Sequence, residues 1–195
     1  MKKSSSGSLL EEDHASVGAQ FAQLCVFLDE GNVERAFAQL DLVWARLAVH
    51  IRAEHLCLFP AVLDAARQLS TDEDDALRLD EAQSLINQLR HDHDFFMTEL
   101  ARAVNLMREM RSSQDSRLIT EMLRDVRQAI STVKDRLEKH NNLEEEQVYR
   151  WPVMLLNSTE QAQLTAHIQH EIDKMPPRFA TSLKQDTSPD KGEKC

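Results

Sequence analysis

The chain is predicted to be all-α, an up-and-down four-helix bundle with an additional C-terminal helix. Two observations lead there. Four segments carry apolar residues at steps of three and four, which is the spacing of one helix face, and no segment sustains the alternation of a strand. The composition agrees: 4 Gly and 5 Pro in 195 residues, with 42% hydrophobic and 29% charged, leave few breakers and suit amphipathic helices.

The elements follow in order. Residues 1–8, rich in serine, are expected to be disordered, and a first helix spans 9–29. Gly31-Asn32 is its stop signal, because glycine accepts the left-handed conformation that often ends a helix. A second helix runs to about Leu58, where Pro60 interrupts it, and 61–69 adds a short extension. Ser70-Thr71-Asp72-Glu73 has the form of a capping box opening a third helix, which reaches about Met110. Ser112-Ser113 breaks the pattern, and a fourth helix extends from near Asp115 to Tyr149. Ser158-Thr159-Glu160-Gln161 caps a fifth helix that ends near Lys174, before Met175-Pro176-Pro177. The expected organisation is one domain over 9–174 and a polar, disordered tail over 175–195.

The faces of these helices carry the functional information. Leu40, Val43, Leu47, His50, Glu54 and Leu58 recur ninety positions later as Ile130, Val133, Leu137, His140, Glu144 and Val148. Each copy is apolar, then places a histidine and a glutamate one turn apart, then is apolar again. Two further faces hold one histidine each. They are Leu10, His14, Val17, Phe21, Leu24 and Leu28, and Leu85, Leu89, His93, Phe96, Leu100, Ala103 and Met107. An unpaired charge on a buried face is costly, so a cation is expected between these groups.

The candidate metal ligands are therefore His14, His50, Glu54, His93, His140 and Glu144. Imidazoles and carboxylates suit a borderline metal such as iron. One glutamate from each of two helices can bridge two metals. With an oxo or hydroxo bridge, an octahedral di-iron pair would keep one open position on each ion, which suits a small ligand. A ferritin-type site needs two Glu-x-x-His pairs, and only Glu11-x-x-His14 fits. His91 competes with His93, but its neighbours Asn87, Gln88 and Asp94 are polar, so it is read as facing solvent. His55, His167 and His170 are read as surface or packing residues. The separation of His14 from His50 is shorter by 11 residues than that of His93 from His140. Either a longer second hairpin or a loose connection over 108–117 accounts for that.

A histidine, then His-x-x-x-Glu, then a histidine, then His-x-x-x-Glu on successive helices resembles the hemerythrin-like HHE cation-binding domains. Glu54-His55-Leu56-Cys57-Leu58-Phe59-Pro60 is similar to that family's Glu-x-x-x-Leu-Phe-Pro ending, and Asp13-His14 and Asp92-His93 to its acidic openings. The resemblance covers residues 9–174 and implies a four-helix bundle holding two iron ions. Respiratory hemerythrins carry a further histidine four residues after the first on their third helix, where this chain has Met97. The resemblance therefore points to the subgroup with four histidines and two glutamates, which the family associates with nitric-oxide, iron or redox responses. Respiratory members also place a carboxylate five residues after the last histidine, which would be Glu145. The ninety-residue register favours Glu144 and leaves Glu145 and Glu146 on a solvated face. Arg150 stands where proline would follow in the second copy, and is expected to alter how that helix ends.

The expected function is binding of a small diatomic ligand, dioxygen or nitric oxide, at a non-haem di-iron centre, in sensing, storage or a stress response. Two alternatives stand beside it: a di-iron oxidoreductase consuming peroxide or nitric oxide, and a metal-free helical interaction module. No catalytic residue beyond the ligands is apparent. A net charge of −10 disfavours nucleic acid and anionic membranes as partners. A redox partner of unidentified kind is allowed. No apolar run is long enough to cross a bilayer and no signal peptide opens the chain, so a cytoplasmic location is expected. Three cysteines argue against a disulfide scaffold.

Overall fold

A computed structural model of the chain describes residues 5–69 and 79–176. Among the described residues every regular element is helical. The elements are α1 (Ser6–Asp29), α2 (Val33–Ala53), α3 (Phe59–Leu69), α4 (Leu79–Ser112), α5 (Ser116–Glu146), α6 (Trp151–Leu155) and α7 (Ser158–Ile172). A π-helical turn over Glu54–Leu58 joins α2 to α3, and a 3-10 turn over Val148–Arg150 leads into α6. No helix among the described residues is long and apolar enough to cross a membrane.

The four long helices close a ring of neighbours: α1 packs on α2, α2 on α4, α4 on α5, and α5 on α1. The fifth helix of the sequence reading, α7, lies against α1, α2 and the π turn. Arg52 fastens it, donating from Nε to Glu171 Oε2 at 2.9 Å and from Nη2 to the Glu171 carbonyl at 3.0 Å.

Local chemistry sets the ends. Gly31 adopts φ 68°, the left-handed conformation that glycine accepts without strain, and stops α1. Asn32 then caps α2 by accepting from the Arg35 amide. Asp115 caps α5 by accepting from the amides of Arg117 and Leu118. Only residues 113–115 separate α4 from α5, so the second hairpin is long and has no loose connection.

Several expected boundaries move. Ser5 and Ser8 form a capping box, and α1 begins at Ser6. Of the stretch expected to be disordered, Ser5 is therefore a helix cap and residues 6–8 open the helix. Asn157, with Glu160, caps α7, one residue ahead of the expected serine. Pro60 does not break the chain direction: the π turn widens the backbone just before it, which relieves the clash of its ring with the preceding turn. In the second copy, which lacks that proline, α5 ends at Glu146 and a tighter turn follows. The cap expected at Ser70–Glu73 and the tail from residue 177 lie outside the described residues.

The apolar residues divide into two clusters. One holds Phe21, Leu40, Leu47, Phe96, Leu100, Ile130 and Leu137. The other holds Leu10, Leu58, Phe59, Ile86, Leu89, Val148 and Ile168. Along each long helix the polar residues of the stripe fall between the two. A close approach at the second cluster ties α1 to the 3-10 turn: a Cβ on Gly7 would lie 2.8 Å from the Tyr149 carbonyl oxygen.

That contact gives a test of the packing. Gly7→Ala is expected to destabilise the fold by about 1–3 kcal/mol, the range for overpacking a filled site. Gly18→Ala, exposed within α1 with no atom near its Cβ, is expected to stabilise by about 0.5–1 kcal/mol. Thermal unfolding of the two variants should shift in opposite directions. Equal shifts would show that α1 does not pack against Tyr149 in this way.

Candidate metal centre

Four long helices and the π turn place the candidate side chains in the layer between the two apolar clusters. His14 comes from α1, His50 from α2, Glu54 from the π turn, His93 from α4, and His140 and Glu144 from α5. All six are buried, and the two glutamates are 0% exposed. The sequence-derived residues thus come together in one layer.

The histidines form two pairs. The Nε2 atoms of His14 and His50 lie 3.0 Å apart, and those of His93 and His140 lie 2.9 Å apart. The glutamates run between the pairs. Glu54 sets Oε1 3.4 Å from His50 Nε2 and Oε2 3.3 Å from His93 Nε2. Glu144 sets Oε2 3.3 Å from His14 Nε2 and Oε1 3.2 Å from His140 Nε2. Each carboxylate therefore offers one oxygen to each pair.

The outward nitrogens explain why Nε2 faces inward. Asp13 Oδ2 lies 2.9 Å from His50 Nδ1, and Asp92 Oδ2 lies 3.2 Å from His140 Nδ1. Glu145 Oε1 lies 2.8 Å from His14 Nδ1, and His55 Nε2 lies 2.9 Å from His93 Nδ1. A neutral imidazole that donates from Nδ1 keeps its lone pair on Nε2, the state a metal ligand needs. Arg46 and Arg136 in turn hold Asp13 and Asp92. His55, read as a surface or packing residue, and Glu145, read as solvated, are hydrogen-bonded to His93 and His14. The signal was available, since both follow the striped glutamate by one residue, ninety positions apart. The aspartates likewise each precede a striped histidine by one.

Tyr149, unremarked in the stripes, also belongs to this layer. Its Oη donates to Glu54 Oε1 at 2.6 Å, and lies 2.9 Å from His14 Nε2 and 3.2 Å from Glu144 Oε2. His91, His167 and His170 are exposed and remote from the cluster, as read. Met97 is partly buried, packs against the first apolar cluster and lines an outer groove with Asp94, Thr98 and Ala101.

The charges are strongly coupled. Burial alone would raise the Glu54 carboxyl, but the charges of His50 and His93 beside it hold it well below the usual carboxylate range. Burial and the Glu54 charge push Glu144 up, yet His140 and His14 bring it below that range. Burial lowers His50 and His140, and the adjacent glutamates more than offset this, leaving both above the ordinary imidazole value. Burial and the His93 beside it lower His55, which favours the neutral ring that can accept from His93.

This donor set can hold a metal ion. Two groups have their ligand atoms within 4.8 Å of one another: His14, His50, Glu54 and Glu144, and His93, His140 and Glu144. Two oxygens, Glu54 Oε2 and Glu144 Oε1, are buried with no hydrogen-bond partner among the described residues. A buried carboxylate oxygen without a partner is costly, and a cation there satisfies it.

Comparison of the chain with protein-family models, with curated proteins and with solved structures found no match.

Two outcomes follow from this arrangement. Asp92→Ala, which frees His140 to rotate, is expected to weaken metal affinity about 10–100-fold in chelator competition. His91→Ala should leave the affinity unchanged, and the opposite ranking would place the site elsewhere on α4. The second outcome concerns protons. His50 and His140 hold theirs to higher pH than ordinary imidazoles, so an incoming cation must displace them. Metal binding near neutral pH should release protons, and affinity should fall as pH is lowered. Calorimetric titrations in two buffers of different ionisation enthalpy measure that release, and a zero balance would contradict it.

Proposed function

We propose that this chain is a hemerythrin-like four-helix bundle, with α7 as its additional helix, that holds two iron ions and binds a small diatomic ligand, dioxygen or nitric oxide. Its role on this reading is sensing, storage or a stress response. The observation that supports it best is the division of each glutamate. Glu54 and Glu144 each direct one oxygen to the His14 and His50 pair and the other to the His93 and His140 pair. One ion would need neither the second histidine pair nor the two shared carboxylates.

The donor set suits iron, since imidazole and carboxylate together favour borderline divalent and trivalent ions over calcium or copper(I). Four imidazole nitrogens and four carboxylate oxygens leave several of about twelve positions of an octahedral pair to exogenous ligands. Bound iron supplies a redox-active Lewis acid at which a diatomic molecule can attach. The protein residues do the rest. Asp13, Asp92, Glu145 and His55 orient the imidazoles. The two glutamates balance the cationic charge. Phe96, Leu89 and Phe59, each fully buried beside the layer, exclude bulk water. Tyr149 Oη lies 2.6 Å from Glu54 Oε1.

The test is to load the protein with ferrous iron under anaerobic conditions, measure metal content, and add dioxygen or nitric oxide to separate samples. Two irons per chain and a change of absorption spectrum with each gas are expected. A chain that takes up no iron, or whose iron is indifferent to both gases, would refute the proposal.

A further inference from the structure

The two halves of the metal layer are not chemically equal. The ninety-residue register that pairs Glu54 with Glu144 also pairs Phe59 with Tyr149. Each ring sits against the first histidine of the other hairpin. Phe59 stacks on His93 with centroids 6.1 Å apart, and Tyr149 lies 5.4 Å from His14. The backbone differs too: Phe59 follows a π turn, while Tyr149 lies in a 3-10 turn. One half therefore receives a phenyl ring and the other a phenol.

The phenol oxygen is placed among the ligand atoms themselves. Tyr149 Oη is within 3.2 Å of His14 Nε2, Glu54 Oε1 and Glu144 Oε2, and these three converge on the His14 and His50 half. Tyr149 is 4% exposed. In the other half, Glu54 Oε2 and Glu144 Oε1 have no hydrogen-bond donor among the described residues. The carboxylates thus have a protein group between their oxygens on one side and none on the other.

We infer that Tyr149 is a seventh metal-ligating side chain, binding the ion held by His14 and His50 through its phenolic oxygen and leaving exogenous ligands to the His93 and His140 half. The inference rests on the two-iron reading of the cluster. On binding, an oxygen–metal bond replaces the O–H bond, and the proton passes to solvent; no electron moves. A phenolate is a hard anionic donor, so it favours the trivalent over the divalent ion in its half. Outer partners act in the same direction. Asp13 and Glu145 place two carboxylates behind His50 and His14, whereas the other half has one carboxylate, Asp92 behind His140, and the imidazole of His55 behind His93. The halves therefore differ in preferred charge, and the less anionic half takes the incoming molecule.

The chain contains 1 Tyr, so a phenolate signal has a single source. The full-length protein is loaded anaerobically with ferrous iron, oxidised in air, and examined by metal analysis, visible absorption and resonance Raman spectroscopy. The expected result is a phenolate-to-ferric charge-transfer band with enhanced tyrosine ring vibrations, lost completely in Tyr149→Phe while two irons remain bound. Phe59→Tyr, which places a phenol against His93, is expected to strengthen the signature. It also serves as a second variant should Tyr149→Phe fold poorly. Two irons without tyrosine enhancement in the unaltered protein would overturn the inference and leave the two-iron reading standing. A visible charge-transfer band that persists unchanged in Tyr149→Phe would overturn it equally. A chain that binds no iron would overturn both.

Discussion

Two carboxylates buried among four histidines are the constraint on which the rest of the structure depends. Leaving a carboxylate charged in a protein interior costs several kcal/mol even after relaxation. That is comparable to the gain from fully burying two or three core side chains, at about 1.5–3 kcal/mol each. The chain accepts this cost twice, at Glu54 and Glu144, in a single layer. Apolar clusters on both sides of that layer supply the compensating burial. The polar groups within it are tied by charge: His50 lowers the Glu54 carboxyl, and Glu54 raises the His50 imidazole.

The layer is precise because each side chain is fixed from behind. Asp13 reaches from α1 to His50 on α2, and Asp92 from α4 to His140 on α5. Glu145 and His55 reach across to the first histidine of the other hairpin. Each hairpin orients its own second histidine and its partner's first. The centre consequently depends on the closed ring of helices and not on any one hairpin. The unequal turns that follow the two glutamates, one wide and one tight, then break the symmetry between the halves.

Much of this was legible from the sequence. The all-helical architecture followed from apolar spacing, because a buried helix face must repeat at about 3.6 residues whatever its neighbours. The convergence of His14, His50, Glu54, His93, His140 and Glu144 followed from polar groups that interrupt those same stripes. The outer partners were harder to see. His55 and Glu145 lie off the stripe by one residue, so helical periodicity assigns them outward. They touch His93 and His14 only because side chains from adjacent helices meet at the edge of the layer. Tyr149 was hidden for a different reason. Reading α5 as a continuous helix to that position gave the wrong backbone, and the 3-10 turn is what swings the phenol inward. The early start of α1 escaped notice because Ser5 and Ser8 satisfy each other in a capping box that resembles disordered serine-rich sequence.

The central claim is that the two glutamates are shared between two ions in one buried layer. X-ray absorption fine structure of the iron-loaded protein tests it most directly. The account expects a metal–metal scattering vector, about two imidazoles per iron, and loss of that vector in Glu144→Ala. Iron with imidazole scattering but no metal neighbour, in a protein loaded to saturation, would contradict it.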